Sequence, residues 1–80
     1  MITSRQVRAA RALLNWTQET LADTAVVALT ALKRLESESG LPVREDTRDQ
    51  VRRALETNGI VFITSDRGRG VMLLQDNSTV

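Results

Sequence analysis

The sequence predicts a mainly α-helical domain, four short helices followed by a C-terminal β-hairpin. Three observations carry that prediction. Apolar residues recur at helical spacing through the first 59 residues, and residues suited to helix capping stand at the breaks between the periodic stretches. After Asn58-Gly59 the period changes to two aliphatic and β-branched runs, "IVFIT" and "GVMLLQ", separated by the glycine-bearing "SDRGRG". Eighty residues suffice for one domain with one modest core.

The elements follow in order. Thr3-Ser4-Arg5-Gln6 has the spacing of a capping box, and Val7, Ala10 and Leu14 place a first helix from about Ser4 to about Asn15. Thr17 caps a second helix, "QETLADTA", with Leu21, Ala22 and Ala25 on one face and Glu19 and Asp23 in water. Trp16, just before that cap, is placed to staple against Leu21. A third helix falls between Ala25 and Glu38 and turns Leu32 and Leu35 inward. Gly40 and Pro42 break the chain, and Thr47-Arg48-Asp49-Gln50 offers a second capping box ahead of Val51, Ala54 and Leu55. The organisation is therefore a helical domain over residues 1–59, a hairpin over 60–75 and a frayed tail over 76–80.

Composition removes several functions. There is no cysteine and no histidine, so disulfides are impossible and the usual zinc sites and His-assisted acid/base schemes lose their parts. No spacing joins a nucleophile to a base and oxyanion donors, and Gly68-Arg69-Gly70 is too short for a phosphate loop. We therefore expect neither an enzyme nor a cofactor or metal protein. No apolar run reaches membrane-spanning length and no basic-then-apolar leader is visible, so the expected location is cytoplasmic, with no membrane partner. A net charge of +1 announces no nucleic-acid partner, so any such role rests on where the basic groups lie. All eleven of them except Lys33 are arginine, whose planar fork suits phosphates, guanine edges and carboxylates alike. Stacking on aromatics is disfavoured, because only Trp16 and Phe62 are aromatic.

From Arg11 through Glu36, "RALLNWTQETLADTAVVALTALKRLE" resembles the helix-turn-helix of the Cro and phage-repressor type, the XRE family. "TQETLA" and "LKRLE" match most closely, and the resemblance covers about the first two-thirds of the chain. It implies a bacterial or phage-type repressor, associated with the nucleoid when bound, that reads a double-stranded DNA operator with its third helix in the major groove. The matching positions imply a phosphate contact for Gln18 and for Lys33, base-edge contacts for Ala28, Leu29, Thr30 and Arg34, and a backbone or minor-groove contact for Arg44. They also imply a structural ion pair, Arg11 with Glu36, fixing the first helix on the third.

Three departures accompany the match. Val26-Val27-Ala28 stands where the family has glycine, valine and a capping serine or threonine. A left-handed backbone costs an unbranched residue about 1–2 kcal/mol, so a rebuilt turn is expected, with Thr24 capping a longer helix "AVVALTALKRLE". Ala28, Leu29 and Ala31 replace hydroxyls and amides, which leaves methyl contacts to thymine. Glu38 would repel a nearby phosphate. These departures keep a second reading open, a protein-interaction module of the anti-activator or antitoxin kind, with Leu29 and its alanine neighbours as an apolar stripe for a partner's helix.

Both faces of the hairpin want cover, because nearly every residue of its two runs is apolar. Val61, Ile63, Val71 and Leu73 are candidates for homodimer contacts; the alternative is a hairpin folded wholly onto its own domain. A dimer would set two third helices roughly 34 Å apart and predict a palindromic operator. Arg67 and Arg69 read as solubilising loop residues.

Overall fold

The computed structural model describes residues 1–38 and 42–75. Gly40 and the tail 76–80, to which the sequence assigned a chain break and fraying, lie outside those residues. Four helices and one hairpin follow in order: α1 (Ser4–Leu14), α2 (Gln18–Ala25), α3 (Leu29–Glu36), α4 (Glu45–Thr57), β1 (Ile60–Ser65) and β2 (Gly68–Leu73). No helix among the described residues is long and apolar enough to cross a membrane.

The first two helices are set by local chemistry. Thr3 and Gln6 form the full capping box at the start of α1, each side chain bonded to the other's backbone N–H. Asn15 ends α1 in the left-handed region at φ 57°, and the Trp16 N–H reaches back to the Arg11 carbonyl at 2.9 Å. Trp16 then packs half-buried against the core. Thr17 caps α2, its hydroxyl accepting from the Thr20 N–H at 3.1 Å.

The expected rebuilding of the next turn does not occur. Val26 itself takes the left-handed conformation, φ 58° and ψ 49°, and the Val27 N–H bonds the Ala22 carbonyl at 3.0 Å. Thr24 belongs to α2, its hydroxyl donating to the Thr20 carbonyl, so it does not cap α3. Ala28 stands at that cap with no side-chain bond. The physical reason lies in what each valine does. Val27 packs on the core while the Val26 side chain is 80% exposed, so the turn pays backbone strain at Val26 and meets no packing conflict there.

Helix α4 starts earlier than its capping box suggests. Arg44 is the N-cap without a side-chain bond, and Glu45 and Asp46 fill the first turn, where negative charge is favoured by the helix dipole. The Asp46 carboxylate accepts from the Thr47 N–H at 3.0 Å, so Thr47 is already helical.

Leu21, Leu32, Leu55, Val7 and Val51 are fully buried and form the core with Ile2, Ala10, Leu35 and Ile60. Ile2 is held there because Arg48 of α4 donates to its carbonyl at 2.8 Å. The hairpin is tighter than the sequence suggests: Gly68, Arg69 and Gly70 are strand residues, and only Asp66 and Arg67 form the turn. Cross-strand partners share a face, so Ile60 with Leu73 and Phe62 with Val71 point one way, and Val61 with Met72 and Ile63 with Gly70 the other. Phe62 and Val71 pack on the core. The four expected dimer residues therefore do not form one surface: Val71 and Leu73 lie on the inner face, Val61 and Ile63 on the outer. Gln6 ties α1 to this sheet, its buried amide donating to the Ile63 carbonyl at 3.2 Å and the Gly70 carbonyl at 2.9 Å.

Candidate nucleic-acid interface

Helix α3 is two-sided. Leu32, Leu35 and Glu36 are buried, while Thr30, Lys33 and Arg34 are exposed on the other side at i, i+3 and i+4. A carboxylate with 4% of its surface exposed must be compensated, and Glu36 is. Arg11 Nε donates to Glu36 Oε2 at 2.7 Å and Arg11 Nη2 to Oε1 at 2.8 Å, a two-pronged pair, while Arg11 Nη1 donates to the Trp16 carbonyl at 3.1 Å. The hydrogen bond to Glu36 raises the Arg11 pKa above its ordinary value, against the opposing effect of burial.

Gln18 completes this cluster. Its side-chain amide donates to Glu36 Oε1 at 3.0 Å, so the residue assigned to a phosphate contact is half-buried and turned toward the ion pair. One carboxylate on α3 thus gathers α1 through Arg11, the α1–α2 connection through Trp16 and α2 through Gln18. Arg8 adds a bond to the Glu36 carbonyl at the end of α3.

On the solvent side Lys33 and Arg34 are exposed. Among the described residues no carboxylate lies within salt-bridge distance of Lys33 or Arg34. Arg34 shares a small cleft with Ala31, Pro42, Val43, Arg44 and Thr47, so α3 and the start of α4 bring two arginines to one place. Arg44 keeps a loose contact to Asp46, 3.4 Å between Nε and Oδ1 and largely exposed. Ala28 is exposed at the head of α3, but Leu29 is half-buried against the core, which withdraws it from the apolar stripe expected for either partner.

Glu38 is not the bare negative charge the sequence suggests. Arg5 Nε lies 2.9 Å and Arg8 Nη2 3.6 Å from its Oε1, and the hydrogen bond from Arg5 holds its pKa below the ordinary carboxylate value. On α4, Arg52 faces Asp49 and Glu56 on a solvated surface. Among the described residues no group of three or more acidic side chains is placed to hold a metal ion.

The roles of Gln6, Arg8 and Arg48 escaped the sequence reading. Gln6 was visible as a capping partner, but its carbonyl partners are 57 and 64 residues away along the chain, beyond any local signal. A search of known protein families and of curated proteins finds no match to this chain.

Proposed function

We propose that the protein is a sequence-specific DNA-binding transcriptional regulator of the helix-turn-helix type, a repressor that recognises a palindromic operator as a homodimer. One observation carries this reading: α3 is locked on one side by the Arg11–Glu36 pair and exposes Thr30, Lys33 and Arg34 on the other, where Lys33 and Arg34 have no ion-pair partner among the described residues. A rigid helix with free, forked donors is what the major groove selects. Arg34 is the base reader, bidentate to a guanine edge, with Thr30 and the Ala28 methyl beside it. Lys33 and Arg44 meet phosphates, and the amides at the start of α2 face the backbone.

The test contrasts neighbouring side chains. On a selected operator, Arg34→Ala should relax preference at one base pair, while Lys33→Ala should weaken all duplexes together and flatten the salt dependence by about one unit of slope. Unchanged base preference in the Arg34 variant contradicts the assignment.

A second reading, a protein-interaction module, has one observation of its own. Val26 is the most exposed large hydrophobic side chain of the described residues, at 80%, beside the head of α3. Affinity for a partner held by such apolar contact would hardly respond to salt, whereas DNA affinity falls steeply.

A further inference from the structure

We propose that the outward face of the hairpin is the surface on which two copies of this chain meet, with Ile63 of one copy seated over Gly70 of the other. This assigns the contact for the homodimer in the function proposed above and rests on that part of it.

The outward row follows from the strand register. Val61 faces outward with Met72, Ile63 with Gly70, and Ser65 with Gly68. Ile63 is 44% exposed and Met72 47%, on a sheet whose other face is already used against the core. The row contains no charged residue in a chain of which 26% is charged. A surface without charge has no handle for phosphates or for an acidic or basic partner, but it meets its own symmetry copy without like-charge conflict.

The two glycines carry the next step. Glycine weakens a strand, and it persists where the backbone needs a left-handed angle or where something approaches closely. Neither Gly68 nor Gly70 has a φ in the left-handed region, and a Cβ on either would meet no atom within 4 Å. The chain's own fold therefore requires neither glycine. Gly59 differs on both counts, at φ 98° with Leu73 3.3 Å from the position of a Cβ. What Gly70 leaves on the outer face is a notch, and its register partner is the exposed knob Ile63. Because knob and notch are directly paired, a two-fold axis passing between them fits both at once, knob to notch and notch to knob. A foreign protein would have to supply both shapes separately.

Sedimentation equilibrium of the full chain tests this. Wild type should dimerise, and Ile63→Lys and Met72→Lys should each raise the dissociation constant at least about tenfold with the helical circular dichroism retained. Gly70→Thr, whose Cβ meets no atom of its own chain within 4 Å and which suits a strand, should fill the notch and give a similar loss, so the test survives if a lysine variant fails to fold. Val26→Lys, which removes an even more exposed apolar side chain at the α2–α3 turn, should leave the dimer unchanged. A wild-type chain that stays monomeric overturns both the dimer and this surface. A wild-type dimer unaffected by the three hairpin variants, or lost equally in Val26→Lys, overturns this surface and leaves the dimer standing. DNA binding by Arg34 is measured separately, on half-site duplexes, and fails or stands independently of either result.

Discussion

The two sides of α3 use charge in opposite ways. On the inner side Glu36 is nearly buried and takes donors from Arg11 and Gln18, so its charge is consumed within the fold. On the outer side Lys33 and Arg34, three and two residues away, meet no carboxylate among the described residues. Charges on one short helix thus divide into those that hold the fold together and those exposed to a partner. The division also makes the two sides separable by mutation, one acting on stability and the other on binding.

The largest effect should come from the inner side. Glu36→Ala leaves the part-buried Arg11 and Gln18 without the carboxylate they share, and we expect a loss of about 3 kcal/mol in urea unfolding. A loss under 1 kcal/mol would show that the pair does not organise α1, α2 and α3. Arg34→Ala should do the converse, leaving stability within about 0.5 kcal/mol of wild type while reducing base discrimination at one position by about 1–3 kcal/mol. Competition binding to operator variants, alongside urea melts, separates the two effects.

The turn that delivers α3 gives a smaller, opposite effect. Val26→Asn puts a residue tolerant of the left-handed region at φ 58°, and stability should rise by about 1 kcal/mol with operator preference unchanged. No gain would mean that Val26 is not strained there. The smallest effect concerns Glu38. Its folded-state pKa is lowered by Arg5, so its contribution is present above the unfolded-state value and is lost as pH falls through the folded one. Glu38→Gln should therefore remove a little of the loss in stability seen on acidification through the carboxylate range; a variant with an unaltered acid limb would contradict this pairing.

Two turns show how far the sequence could be read. Asn15 and Val26 close α1 and α2 with nearly the same backbone, φ 57° and 58°, and each following N–H reaches back five residues, to Arg11 and Ala22. The first was legible because asparagine is a usual occupant of that conformation. The second was not, because local propensity argues against valine while tertiary packing decides: Val27 and Leu29 are held against the core, and that fixes the path through Val26. The hairpin divides the same way. Its strands were visible as β-branched runs, but which residues faced inward depended on the register and on Gln6, whose partners are far along the chain. Helical spacing turned Leu32 and Leu35 inward and the family resemblance pointed to Thr30, Lys33 and Arg34 on the other side, whereas the turning of Gln18 toward Glu36 needed three helices in place.

The proposed function requires the outer side of α3 to read DNA sequence. Selection of bound sequences from random duplex DNA by the full chain tests it most directly. Enrichment of a palindrome whose half-sites lie about one helical turn apart, with a guanine position that Arg34→Ala no longer selects, is the predicted result. Recovery of unenriched random sequence would contradict it.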